Sequence, residues 1–141
     1  MILDASVAAK WFLKGEEYET ESHTLRQDYE EGKVELRAPS LILYEVCNSI
    51  RKRRDIPRET AAKLAEAASK YLSNLVVSPS PQTYRKAVSN ARLWDITVYD
   101  SSYATMAQEM KQPLITADGD LGKRLSKVSV PVVLIANYET S

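Results

Sequence analysis

Cysteine, histidine and glycine are scarce in this 141-residue chain, with one, one and four residues respectively. The single cysteine, Cys47, cannot close an internal disulfide. Cys47 and His23 together are too few for a Cys/His zinc site, and they argue against Cys–His catalysis. His23 sits in a polar helical stretch and reads as a surface residue. Net charge is also missing, because 19 Lys+Arg stand against 19 Asp+Glu. That balance excludes a polycation held to nucleic acid by bulk charge and an acidic disordered tail, but it leaves open binding by a local patch. No apolar run approaches the roughly 20 residues of a membrane span. The start, Met1-Ile2-Leu3-Asp4, has neither the charged beginning nor the apolar stretch of a signal peptide. The expectation is a cytoplasmic protein that does not engage a membrane.

What the chain does have is apolar content, 44% of its residues, enough to fill a core without disulfide or structural metal. Ile2-Leu3 is a short apolar run ending at Asp4. Ser6 reads as the N-cap of a helix through Ala8, Ala9, Trp11 and Phe12 that closes near Gly15. Glu16 to Glu31 is polar and helical, with Tyr18, Ser22, Leu25 and Tyr29 on one face and Gly32 as its stop. Pro39-Ser40 opens a helix from Leu41 to Arg54, and Pro57 begins the next, with Ala61, Leu64, Ala65, Ala68, Tyr71 and Leu72 at helical spacing. Leu75-Val76-Val77 is β-like. Ser80-Pro81 starts a helix to about Leu93, and Tyr99 to Met110 is helical. Leu114-Ile115-Thr116 is a buried strand pattern, Asp118 to Leu125 a short helix or turn, and Val130 to Ile135 a last strand. Short apolar strands separated by amphipathic helices predict one α/β domain over residues 1–141, with a mainly parallel sheet. Trp11, Trp94, Tyr99 and Tyr103 read as core or interface aromatics.

In an open parallel sheet, sites form beyond the carboxyl ends of the strands. Asp4 follows the first strand directly, and Asp118 follows Leu114-Ile115-Thr116 after one residue. Glu45 interrupts the apolar helical run Leu41-Ile42-Leu43-Tyr44-Glu45-Val46-Cys47, with Asn48 on the same helix face. Asp100 opens the Tyr99–Met110 helix. Each acid has a plainer role available. Asp4 suits a helix cap. Thr97-Val98-Tyr99-Asp100 fits a capping pattern. Asp118-Gly119-Asp120 fits a turn, and Glu45 could be solvated or salt-bridged. Together, carboxylates converging on one rim would repel and raise one another's pKa. A divalent cation relieves that, and all-oxygen donors favour Mg2+ or Mn2+, the usual equipment of phosphodiester chemistry.

On these residues the chain resembles the PIN domains, and among them the VapC-type toxins of toxin–antitoxin pairs. The resemblance spans essentially the whole sequence. It is carried by Leu3-Asp4-Ala5-Ser6, by Pro39-Ser40-Leu41 through Glu45-Val46-Cys47-Asn48, by Thr97-Val98-Tyr99-Asp100-Ser101-Ser102-Tyr103-Ala104, and by Leu114-Ile115-Thr116-Ala117-Asp118. It implies a three-layer α/β/α PIN-like fold and a Mg2+- or Mn2+-dependent endoribonuclease acting on single-stranded or loop RNA. The acidic, metal-holding quartet would be Asp4, Glu45, Asp100 and Asp118, with Thr116, Ser6 and Asn48 beside it. Asp120 is an extra acid, with a second-metal, supporting or turn role open. The resemblance also implies homodimers, in some cases tetramers, and inhibition by a small antitoxin whose tail enters the site.

An acidic site must still attract a polyanion. Arg51-Lys52-Arg53-Arg54, with Arg58 near, is the densest basic run. It reads either as a solvated helix end that complements the dipole or as a backbone-phosphate track for RNA. Lys123, Arg124 and Lys127 could flank the other side. Within the enzyme class, a haloacid-dehalogenase-like phosphohydrolase would want D-x-D after the first strand, where this chain has Asp4-Ala5-Ser6. A receiver domain would want adjacent acids. In a different class, a PIN-like module could dimerise or bind RNA or protein without cutting it.

Overall fold

Ile2 and Leu3, both without solvent exposure, form strand β1 (Ile2–Leu3) in the computed structural model, which describes residues 1–140. Asp4 is still extended (φ −83°, ψ 148°), yet its carbonyl already accepts from the Val7 and Ala8 N–H groups. Helix α1 (Ala5–Ala8) therefore springs from the strand with no linker, and a 3-10 turn over Ala9–Trp11 prolongs it. Asp4 occupies the N-cap position expected of Ser6, and Ser6 lies inside the first turn. Helix α2 (Glu19–Glu30) begins three residues later than the polar run suggests, because Tyr18 adopts the left-handed region at φ 58°. Gly32, at φ 73°, supplies the left-handed turn beyond its end.

Ala38–Pro39 forms β2, a strand absent from the sequence reading, where Pro39-Ser40 only opened a helix. Two residues, one a proline, carry no periodicity to detect. Helix α3 (Leu41–Lys52) stops before Arg53, whose backbone is extended, and α4 (Arg58–Leu72) begins after Pro57. Leu75 belongs to a 3-10 turn, leaving β3 as Val76–Val77. Helix α5 (Pro81–Trp94) is capped by Ser80, whose Oγ accepts the Thr83 N–H, with Pro81 at the first position. Helix α6 (Val98–Met110) is capped by Thr97, whose hydroxyl accepts the Asp100 N–H. Strand β4 (Leu114–Thr116), helix α7 (Gly119–Ser126) and strand β5 (Val132–Leu134) complete the chain, the last strand being shorter than its apolar run.

All strand pairings among the described residues are parallel. β1 lies beside β4 and β4 beside β5, with Leu3 opposite Ile115 and Ile115 opposite Val133. β2 pairs with β3, and a parallel bridge between Ile2 and Arg37 ties that pair to β1. The resulting sequence across the molecule is β3-β2-β1-β4-β5. Leu114, Ile115 and Thr116 are consecutive and all fully buried. Successive strand residues face opposite sides, so both faces of the sheet are covered, as an α/β/α arrangement requires. Helix α6 lies across β1, β2 and β4, α1 packs on α3 and β4, and α7 packs on β5. No helix among the described residues is long and apolar enough to cross a membrane. Strand order reverses between β1 and β4, and such a switch point opens a crevice beyond the strand ends.

Candidate active site

Asp4 stands at that switch point, 8% exposed. Its Oδ2 accepts the Thr116 hydroxyl at 2.6 Å and the Ser6 hydroxyl at 2.7 Å. In turn Ser6 Oγ accepts the Ala117 N–H and Thr116 Oγ1 accepts the Asp118 N–H, each at 3.0 Å. A hydroxyl has one proton to give. Both protons therefore go to Asp4, and the 3.3 Å approach of Ser6 to Thr116 is a close contact only. The knot welds the end of β1 to the end of β4 and fixes the Asp4 carboxylate. Neither hydroxyl has a proton left over for a phosphate oxygen, so both act on Asp4 and the loop.

Glu45 sits half-buried in the second turn of α3. Its Oε1 accepts the Tyr103 hydroxyl at 2.6 Å. Tyr103 is 1% exposed on α6. Its ring is core, as the sequence suggested, but its hydroxyl reaches into the acidic site, a contact no sequence pattern announced. Asp100, half-buried, is in the first turn of α6. Asp118 Oδ1 accepts the Asp120 and Leu121 N–H groups, both at 3.0 Å, and so caps α7. The plainer roles foreseen for Asp100 and Asp118, a capped first turn and a turn-capping acid, are thus realised.

The carboxylates act on one another through space. Burial raises the Asp4 pKa and the charge of Asp118 adds to it, against the hydrogen bonds from Thr116, Ser6 and the Ala5 N–H. Burial raises Glu45, helped by the charges of Asp4 and Asp100, while the Tyr103 hydrogen bond opposes. Burial raises Asp100, helped by Asp4 and Asp118 and opposed by Thr97 and Arg124. Three acids held uncomfortably in their charged form, with oxygen as the only donor type, match the chemistry of a hard divalent cation. Among the described residues, no three His, Cys, Asp or Glu side chains stand close enough to form a ready-made cage. A bound ion would have to draw them together.

A cleft of about 460 Å3 collects Asp100, Asp118 and Asp120 with Thr97, Leu121 and Arg124. Arg124 donates to the Asp95 carbonyl at 2.7 Å and places one cation beside three acids. Asp120 is exposed on that cleft. Asn48 is exposed and its Oδ1 accepts Arg51 Nε at 2.9 Å, so no hydrogen bond joins it to the acids. The basic run divides. Arg53 is committed to Asp55 through two 2.8 Å bonds and to Glu16 at 3.1 Å. Arg51, Lys52 and Arg54 remain exposed. Arg51, Arg53, Arg54 and Arg58 edge a groove between α3 and α4 floored by Ile50, Ile56 and Ala61. His23 is exposed, 3.8 Å from Glu19, as expected of a surface residue. Tyr99, read as core or interface, is 62% exposed next to Asp100.

A family model described as PIN domain matches residues 1–127. Ribonuclease VapC3 of Pyrobaculum aerophilum is 27% identical over 134 residues, 93% of this chain and 98% of that protein. The crystal structure of PAE2754 from the same organism superposes with a TM-score of 0.65 at 23% identity, covering 96% of this chain and 90% of the other. FitAcB from Neisseria gonorrhoeae superposes with a TM-score of 0.66 at 12% identity, covering 96% and 98%. The two structural likenesses speak to fold alone.

Proposed function

The chain belongs to the PIN-domain family, and from that premise we propose that it is a Mg2+- or Mn2+-dependent endoribonuclease cutting single-stranded or loop RNA, the toxin of a toxin–antitoxin pair. The full-length likeness to a protein named as a ribonuclease supports the activity. The observation that carries the reading is electrostatic: Asp4, Glu45 and Asp100 all have raised pKa values at the β1/β4 switch point, from burial and from mutual charge that includes Asp118. A fold does not keep such a group for stability's sake.

In this reading Asp4, Glu45, Asp100 and Asp118 hold the divalent metal. When bound, the metal supplies charge for the scissile phosphate and an activated water. The chain's own residues set the geometry. Ser6 and Thr116 lock Asp4, Tyr103 holds Glu45, and the α7 cap orients Asp118. The Asp120 N–H donates to Asp118 Oδ1, and the Asp120 side chain lies at the rim of the cleft. Arg124 offers a guanidinium to phosphate oxygens on the cleft side, and Arg51, Lys52 and Arg54 offer charge beyond α3. Exposed Tyr44 of α3, Tyr84 of α5, and Val98 and Tyr99 of α6 line one apolar cleft together with Leu41 and Met106. That clustering supports a face covered in a homodimer. A small antitoxin is the remaining partner.

Cleavage of a mixed single-stranded RNA with Mn2+, with EDTA, and by Asp4→Asn and Asp100→Asn tests the proposal. Loss of cleavage in EDTA and in both variants is expected. Cleavage that survives chelation or both substitutions overturns it. No cleavage of any RNA by the wild type would favour the non-catalytic binding module.

A further inference from the structure

A second, oppositely charged pocket meets the acidic site at Ser6, which lines it and donates to Asp4. It has a volume of about 250 Å3 and is lined by Ser6, Lys10, Leu13, Ser49, Lys52 and Arg53, with Ala9 and Glu16 completing the wall. Its cations come from the elements that carry two of the four acids, Asp4 at the N-cap of α1 and Glu45 on α3. On α1 and its 3-10 extension, Lys10 stands four residues after Ser6, the residue that donates to Asp4. On α3, Ser49 and Lys52 stand four and seven residues after Glu45, on the same stripe. They lie about 6 and 10 Å along the axis from it.

Lys10 is the unusual member. It is 8% exposed in a chain whose lysines otherwise lie on the surface, and it forms no ion pair among the described residues. Lysine is almost never buried this far without a partner. No polar side-chain atom among the described residues is both sealed from solvent and unpartnered, so the ammonium opens into the pocket while the stem packs in the core. Glu16 is already paired with Arg53 at 3.1 Å, and Arg53 also with Asp55. The positive charge still free in the pocket is that of Lys10 and Lys52. Ser49 bonds its own helix through the Glu45 carbonyl.

We infer that this pocket binds a phosphate of the RNA strand beside the one at the acids, with Lys10 as its buried contact, and so sets the direction in which the strand crosses the site. The inference rests on the nuclease reading for its substrate. Its chemistry is that of an anionic, tetrahedral oxygen donor meeting two ammonium groups, and it draws on residues distinct from the acidic quartet. An internal phosphodiester and a 5′-terminal phosphate share that chemistry.

Fluorescence anisotropy of a short single-stranded RNA, in EDTA and across a salt series, tests it. The proteins are the wild type, Lys10→Met, Lys10→Arg and the exposed-lysine control Lys63→Gln, which lies outside the pocket. Lys10→Met keeps an apolar stem, so the fold is preserved, and thermal melts check this. Loss of one phosphate contact lowers the log–log salt slope by about 0.7, with roughly tenfold weaker binding at low salt and recovery in Lys10→Arg. An unchanged slope in Lys10→Met, or Lys10→Arg as weak as Lys10→Met, overturns the pocket. RNA carrying a 5′-hydroxyl or a 5′-phosphate separates the two sources. An effect with both marks an internal phosphodiester, and an effect with the 5′-phosphate alone marks a strand end. Cleavage in Mn2+ keeps the two proposals apart. A wild type that cuts RNA with an unchanged Lys10→Met salt slope sinks the pocket alone. A wild type that never cuts, with the slope still reduced, sinks the nuclease alone.

Discussion

The Tyr103 hydroxyl and the Glu45 carboxylate, 58 residues apart in sequence, meet at 2.6 Å. The phenol is held far above its ordinary range, by burial first and then by the nearby Glu45 and Asp4 charges, so it stays a donor at every working pH. Replacing it tests whether Glu45 needs positioning. Tyr103→Phe keeps the packed ring and removes one charge-assisted bond of about 1.5–3 kcal/mol. RNA cleavage should fall roughly tenfold or more, with a weaker apparent Mn2+ affinity. In a Glu45→Gln background the same change should add little. An equal loss in both backgrounds would assign Tyr103 to the core only.

The Asp4 knot predicts a stability cost. Thr116→Val preserves shape but removes a donor to Asp4 and the acceptor of the Asp118 N–H. Urea unfolding should show a loss on the order of 1–3 kcal/mol. Ser6→Ala, at a half-buried position, should cost less.

The crowded acids predict the opposite sign for Asp100→Asn. Because the folded protein raises the pKa values of Asp4, Glu45 and Asp100, it takes up protons more readily than the unfolded chain. Their penalty is present in full at neutral pH and fades as pH falls through the folded values. Metal-free Asp100→Asn should therefore melt above metal-free wild type at neutral pH, and that gap should narrow as the pH falls through the acid range. Added Mn2+ at a hundred times its Kd should stabilise the wild type by about 2.7 kcal/mol and Asp100→Asn far less. Differential scanning calorimetry reads each comparison.

Two phenols predict an alkaline limit. Burial, with a hydrogen bond to Glu30, pushes Tyr71 up to about 12, and burial, with a hydrogen bond to Asp28, does the same for Tyr138. A raised phenol pKa stabilises the fold fully below the ordinary value near 10, and that contribution disappears as pH rises through about 12. Urea midpoints should fall over this window in the wild type and fall less steeply in Tyr71→Phe/Tyr138→Phe.

Much of the architecture was legible because local signals agreed. Thr97 and Ser80 cap the helices their positions suggested, and the apolar triplet Leu114-Ile115-Thr116 is a fully buried strand. Strand β2 was not legible, since Ala38–Pro39 owes its strand character to β3 and not to its own sequence. Nor was Asp28, whose buried carboxylate is explained only by Lys33 at 3.3 Å and Tyr138 at 2.8 Å. The acids at 4, 45, 100 and 118 could be picked out as candidates, because charge next to an apolar strand or inside an apolar helix stands out. Their partners could not.

The sequence by itself determined an α/β chain with a mainly parallel sheet and acids at strand ends and helix starts, since periodicity and capping act over a few residues. Only the tertiary structure decided that both Ser6 and Thr116 serve Asp4, that Tyr103 serves Glu45, that Arg53 is tied to Asp55 and Glu16, and that Lys10 is buried with no ion pair among the described residues. Those facts depend on which distant backbones become neighbours. A hydroxyl, a guanidinium or an ammonium looks the same in a sequence whatever it faces, and burial and contact give it a role.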